Sequence, residues 1–308
     1  MIKRVIGFNN PAYLSLKLEQ MVITLPDIVN DKNMPENLRE QGVYTIPIED
    51  IGVVVIDHKQ VTVTSALMAA LLENNVAVIS CNDQHLPIGL FLPLQGNNLQ
   101  SERFRQQIDA SEPLKKQMWQ QTVISKIAGQ AQILAEQGVE NGNMLAWCKQ
   151  VKSGDTDNLE GRAAAYYWRN VFHNPDFLRA QDGLPPNNLL NYGYAIVRAL
   201  MARALVAAGV LPTLGIHHHN RYNAYCLADD IMEPYRPFVD RVVIDIYKRI
   251  ADLSELTSAL KREMLAVNTA EVLIDHRRSP LQIAVQTTAN SVQKCFSGEA
   301  RKIIYPDW

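Results

Sequence analysis

Acids and imidazoles crowd two nearby stretches, Gly215-Ile216-His217-His218-His219 and Asp230-Ile231-Met232-Glu233-Pro234-Tyr235-Arg236-Pro237. Residues three apart on a helix share a face, so Asp230 and Glu233 can aim at one point. Two carboxylates there make a hard oxygen site suited to Mg²⁺ or Mn²⁺. His218, just upstream, can add a nitrogen ligand from the preceding loop and shift tolerance toward Mn²⁺. Metal-assisted chemistry is the first hypothesis. The same Asp-x-x-Glu spacing also fits an N-cap with a reciprocal acid, and Pro234 and Pro237 suit a first helical turn. Spacing alone puts the capping reading ahead.

Asp157-Asn158-Leu159-Glu160 carries the same ambiguity, because Glu160 stands three residues after a plausible Asp cap. The three adjacent histidines offer no packing advantage, and an extended chain would turn His218 away from its two neighbours. His58, His85, His173 and His276 show no partner pattern and read as surface or loop residues. Tyr166, Tyr167 and Trp168, beside Arg162 and Arg169, have the composition of a base-stacking surface; helix core is the commoner use of such a stripe. Arg277 and Arg278 read as a solvated turn ahead of a phosphate patch. No phosphate-binding Gly-x-x-x-x-Gly-Lys loop, dinucleotide Gly-x-Gly-x-x-Gly fingerprint or Gly-x-Ser-x-Gly elbow occurs.

These side chains must be held by something. Residues 1–94 read as a small β domain, with short Val-, Ile- and Tyr-rich runs at 4–8, 13–18, 21–25, 43–48, 52–57, 76–80 and 89–92, separated by Asn, Asp, Pro and Gly. Ser65 to Asn75, rich in Ala and Leu after a serine start, predicts one helix packed on that sheet. Residues 95–103 read as a linker, and beyond them the period shifts from two to about 3.6. Helices are expected at 112–137, 142–151, 158–172, 189–208, 230–253, 256–267 and 279–296, the last with Ser279 as N-cap and Pro280 at its first position. The fold class is therefore α+β: a β-rich N-terminal domain, then a mainly α-helical domain at 104–308 carrying the candidate site.

The 308 residues exceed the usual size of one domain, and 47% hydrophobic against 20% charged describes a folded chain. A net charge of -2 gives no global footprint of a nucleic-acid binder, so any such contact must use local basic patches or a basic partner. No signal peptide or membrane-spanning run is expected, which suggests a cytoplasmic protein with no membrane partner. Cys81, Cys148, Cys226 and Cys295 form no Cys-x-x-Cys pair and read as reduced packing residues.

Three separated blocks resemble one family, the CRISPR-associated integrase and endonuclease of spacer acquisition, the Cas-one family. They are Leu159-Glu160-Gly161-Arg162-Ala163-Ala164, Asn191-Tyr192-Gly193-Tyr194, and Gly215-Ile216-His217-His218 followed by Asp230-Ile231-Met232-Glu233-Pro234-Tyr235-Arg236-Pro237. The last block looks most like members from systems that use a single large RNA-guided nuclease. The resemblance spans nearly the whole chain.

Carried over by position, the family's metal ligands fall on Glu160, His218 and Glu233, with Asp230 as a nearby acid. The implied activity is phosphoryl transfer on DNA assisted by Mg²⁺ or Mn²⁺, in which a 3′-hydroxyl end is joined to a CRISPR repeat array. The implied partners are DNA, both protospacer duplex and repeat array, a second copy in a homodimer, and a small protein of the second Cas family. Two rivals are a structure-selective nuclease using the same metal site without joining, and a non-catalytic DNA-binding scaffold whose acids are only helix caps.

Overall fold

Ile51–Ile56, an unbroken apolar run, is buried along nearly its whole length because strands flank it on both sides. A computed structural model describes residues 3–308 except 84 and 86. Met1 and Ile2, the first residues of the expected β domain, thus lie outside the described residues.

Contacts divide the chain into two compact units, Met1–Leu94 and Gln95–Trp308. The first holds strands β1 (Arg4–Phe8), β2 (Ala12–Lys17), β3 (Gln20–Thr24), β4 (Val43–Pro47), β5 (Ile51–Ile56), β6 (Val61–Val63), β7 (Ala77–Cys81) and β8 (Pro87–Phe91). One sheet runs β1-β5-β7-β8, parallel except for β8; the other runs β4-β3-β2-β6. Helix α3 (Ser65–Glu73) is the expected packed helix, but Thr64 caps it, its side chain accepting from Leu67 N. Two short helices that sequence reasoning did not expect accompany it, α1 (Pro26–Val29) and α2 (Glu36–Glu40). Both are one turn long and present no buried residue, so no apolar period marks them. The core gathers Leu14, Met21, Ile23, Ile51, Leu67 and Val78 among others.

The second unit is helical: α4 (Gln100–Ile108), α5 (Glu112–Glu136), α6 (Gly142–Cys148), α7 (Leu159–Asn170), α8 (Asn187–Ala207), α9 (Cys226–Met232), α10 (Arg236–Arg249), α11 (Ser258–Leu265) and α12 (Leu281–Phe296), with one hairpin, β9 (Glu271–Ile274) and β10 (Arg277–Pro280). The combination of a β-rich unit and a helical one is the expected α+β class. Residues 95–103, expected as a linker, instead enter α4 and dock: Asn97 Nδ2 donates to Ala207 O at 2.9 Å and Arg103 to Ala208 O at 2.8 Å. Ser279 is not the cap of α12. It pairs with Val272 in the hairpin, whose turn residues Asp275 and His276 take the left-handed backbone (φ 50 and 60°) typical of a two-residue turn.

Ser111 caps α5, accepting from Leu114 N, and starts the 25-residue helix on which the unit is built. Its buried face includes Trp119, Val123, Lys126, Ile127 and Ile133. Helix α8 packs closely: a Cβ at Gly193 would lie 2.4 Å from Val239 Cγ1 and 2.6 Å from Met264 Cε, so only glycine lets α10 and α11 approach there. By length and composition α8 is also the one helix among the described residues able to cross a membrane, contrary to the sequence expectation; 72% of its most apolar stretch is buried in the protein.

Candidate active site

Glu160 sits in the first turn of α7, where an acid would ordinarily cap. It does not. Asn158, with left-handed backbone, accepts from Gly161 N, and Asp155 takes both Leu159 N (3.0 Å) and Glu160 N (2.9 Å). Asp157, the expected cap, pairs instead with Lys152 at 2.7 Å. With those amides satisfied by other side chains, the Glu160 carboxylate is free to pair with Lys126.

Asp230 and Glu233 likewise do not cap a helix. Helix α9 starts four residues before Asp230, and Glu233 opens a single 3₁₀ turn between α9 and α10. Asp230 is fully buried, and it organises the histidine loop. Its Oδ2 accepts from Ile216 N at 2.8 Å and His217 N at 2.9 Å, His218 N lies 3.3 Å away, and His218 Nδ1 is 2.5 Å from Oδ1. Converging amides curl the loop, so His217 and His218 do not point oppositely as an extended chain would require. Gly215 permits the curl: a Cβ there would lie 2.3 Å from His218 O. Trp119 completes the mount, stacking face to face on His217 (centroids 4.1 Å, planes 1° apart) and edge-on to His218 at 5.6 Å. His219 is exposed.

Lys126 is where the two glutamates meet. Its ammonium pairs with Glu160 and lies 2.6 Å from Glu233 Oε2, while Arg236 holds Glu233 Oε1 at 3.0 Å. Burial pulls the Lys126 ammonium down, but Glu233 and Glu160 outweigh it and hold it above the ordinary lysine range. Burial pushes Glu233 up, and Arg236 and Lys126 reverse this, keeping it below the ordinary range. The Asp230 hydrogen bond raises His218, and both glutamates add to the rise. Burial and the neighbouring His218 lower His217.

Glu160, Glu233 and the His218–Asp230 pair are thus brought into one electrostatic neighbourhood. Among the described residues, no group of three or more histidine, cysteine or acidic side chains forms a ready metal cluster. The donor set still suits a divalent ion. Glu233 Oε2 is buried and faces the Lys126 ammonium at 2.6 Å, so a cation already stands where this oxygen points. His218 donates Nδ1–H to a carboxylate, which leaves the Nε2 lone pair for a ligand.

Sequence reasoning missed Lys126, Trp119 and Asp155. The signal for Lys126 was a lysine on the apolar face of α5, one heptad from Trp119. It also left His85 without a partner, whereas Nδ1 lies 3.0 Å from Asp57 Oδ1. The expectation that Tyr166 to Trp168 belong to helix core holds for Tyr167, which is fully buried.

Tyr167 leads to a network behind the site. It donates to Asp240 at 2.8 Å, Tyr194 donates to the other oxygen, and the Arg236 guanidinium stands 4.6 Å over the Tyr194 ring. Burial pushes Asp240 from 3.8 to about 6, against the hydrogen bonds from Tyr194 and Tyr167. The folded protein therefore keeps a proton that the unfolded chain has lost, so this group stabilises below the unfolded value and the contribution disappears as pH rises through about 6. Asp240→Asn should remove that dependence. In urea unfolding, the variant should gain on the wild type by about 2 kcal/mol between pH ~4.5 and ~7.5; a pH-independent difference would contradict the assignment.

Comparison with known proteins bears on what this arrangement is for. The chain is 36% identical to a CRISPR-associated endonuclease Cas1 of Neisseria meningitidis serogroup C (strain 8013) over 252 residues, 81% of this chain and 82% of the relative. It shares its fold with a casposase bound to integration product (TM-score 0.75, 18% identity, 98% of this chain and 92% of that one). A chain of a Cas6-RT-Cas1–Cas2 complex is also similar (TM-score 0.72, 20% identity, 97% and 35%). The family model described as CRISPR associated protein Cas1 matches residues 8–275, a span that contains Lys126, Glu160, the Asp230-anchored histidine loop and Glu233, and the chain belongs to that family.

Proposed function

We propose that this chain is a divalent-metal-dependent DNA integrase and endonuclease that inserts short DNA fragments, new spacers, into a CRISPR repeat array. The observation that carries the reading is the convergence of Glu160 and Glu233 on one buried cation, beside a histidine presented by Asp230, in a chain of the Cas1 family. Relatives named as endonucleases and a neighbour bound to an integration product support both halves of the activity. The neighbour in an assembly with Cas2 supports a small partner of that kind. The proposed acting form is a homodimer of the chain on protospacer and repeat DNA.

Glu160, Glu233 and His218 Nε2 would hold Mg²⁺ or Mn²⁺. When bound, the ion neutralises charge on the scissile phosphate and orients the attacking oxygen. The chain's own residues do the rest. Asp230 fixes the imidazole through Nδ1, Trp119 limits its tilt, and Arg236 keeps the Glu233 carboxylate from rotating away. The 3′-oxygen of the incoming strand bonds to the target phosphorus as the target's own 3′-oxygen leaves. The attacking hydroxyl releases a proton and the leaving oxygen takes one, so phosphodiester replaces phosphodiester without nucleotide hydrolysis. Water in place of the hydroxyl gives cleavage.

The test is a joining assay with the purified chain, a small Cas2-type partner, a short duplex with 3′-hydroxyl ends and a supercoiled repeat-bearing plasmid. Mn²⁺-dependent joining should vanish in EDTA and fall at least about 10³-fold in His218→Ala, as expected when a ligand worth several kcal/mol is removed. Nicking without joining would favour the nuclease, and binding without strand chemistry the scaffold.

A further inference from the structure

Lys126 is a costly residue to place where it is. Its side chain is 11% exposed, on the core face of α5, and lysine carries a strongly hydrated ammonium on a flexible four-carbon stem. A buried ammonium persists only when paired, and its partners here are the two carboxylates proposed above as metal ligands. They come from different elements, α7 and the turn after α9, and would repel each other across the gap without a cation between them. Arg236 does not replace Lys126, because it holds the other Glu233 oxygen.

Mg²⁺ or Mn²⁺ binds carboxylate oxygen at about 2.1 Å. An ion serving both Glu160 and Glu233 Oε2 would occupy the space where the ammonium now stands, 2.6 Å from that oxygen. Two cations cannot share that space. We infer that Lys126 is an internal stand-in for the metal: it holds Glu160 and Glu233 together before the ion arrives, and the ion enters by displacing its ammonium from between them. The inference rests on the reading of Glu160 and Glu233 as ligands. Lys126 touches the ligands and not the reacting atoms, so it is a positioning residue, and it sets a threshold for metal loading. If the lysine-paired form makes up nine-tenths of the metal-free population, apparent metal affinity falls about tenfold.

The experiment measures Mn²⁺ binding to the full chain without DNA, by loss of the free-ion electron paramagnetic resonance signal, in wild type, Lys126→Met, Glu160→Gln and the double variant. Lys126→Met should bind Mn²⁺ about tenfold or more tightly than wild type, and Glu160→Gln should weaken binding in both backgrounds. Equal or weaker binding in Lys126→Met, with the Glu160→Gln effect intact, overturns the stand-in role and leaves the metal site standing. Binding indifferent to Glu160→Gln overturns the metal reading and this inference with it. Because Lys126→Met can unfold, a second measurement uses wild type alone: amine labelling of Lys126 followed by mass spectrometry, with exposed Lys152 as reference. Labelling should be slow in EDTA and accelerate as Mn²⁺ saturates; a rate unchanged at full Mn²⁺ occupancy overturns displacement.

Discussion

Glu160→Gln should abolish Mn²⁺-dependent strand joining, by at least about 10³-fold, while leaving the fold nearly intact. On the proposed function, the loss follows from deleting one charged ligand of an ion that would supply several kcal/mol of transition-state stabilisation, at 1.36 kcal/mol per decade of rate. The survival of the fold follows from where α7 gets its caps. Asp155 and Asn158 already satisfy Leu159 N, Glu160 N and Gly161 N, so glutamine at 160 removes no cap. Lys126 retains Glu233, and the new amide oxygen can still accept from it. Unfolding in urea should therefore show a cost of only about 1–2 kcal/mol, that of weakening a charged hydrogen bond. A variant that joins strands at the wild-type rate would remove Glu160 from the site.

Asp230→Ala should do the opposite, losing stability and activity together. Asp230 is fully buried; two backbone amides donate to its Oδ2, and a third at 3.3 Å and the His218 imidazole converge on it. Alanine strands these donors and opens a void beside Gly215, whose space is already filled by His218 O. Removing one partner from such a buried charged network costs about 3–5 kcal/mol. For a unit of this size that lowers the midpoint of thermal unfolding by about 6–20 °C. Asp230→Asn, which keeps the volume and one acceptor oxygen, should fall between. A change below about 1 kcal/mol in Asp230→Ala, within the range of ordinary surface substitutions, would show that the loop is held by something else.

The contrast marks what spacing could and could not tell. The acid pairs Asp157/Glu160 and Asp230/Glu233 both have capping-box spacing, and neither caps, because Asp155, Asn158 and the earlier start of α9 at Cys226 decide where the helices begin. Long periodic elements were legible: α5, α7 and α8 lie within a few residues of expectation, as does the buried run of β5. Short elements set by distant partners were not. Strand β6 has three residues and exists through its pairing with β2, and Ser279 reads as a cap until β9 is there to pair with it. Lys126 showed locally only as a lysine on an apolar helix face, because its meaning lies in two carboxylates 34 and 107 positions away along the chain. The candidate ligands Glu160, His218 and Glu233 were singled out by block resemblance, which supplies the nonlocal information that local periodicity lacks.

The central claim is that one divalent ion is held by Glu160, His218 and Glu233. Anomalous scattering from crystals of the full chain soaked in Mn²⁺ tests it most directly. The account predicts a single strong peak about 2.1 Å from carboxylate oxygens of Glu160 and Glu233 and from His218 Nε2, with the Lys126 ammonium withdrawn from between the glutamates. A peak elsewhere, with Lys126 still bridging the two carboxylates at full Mn²⁺ occupancy, would contradict it.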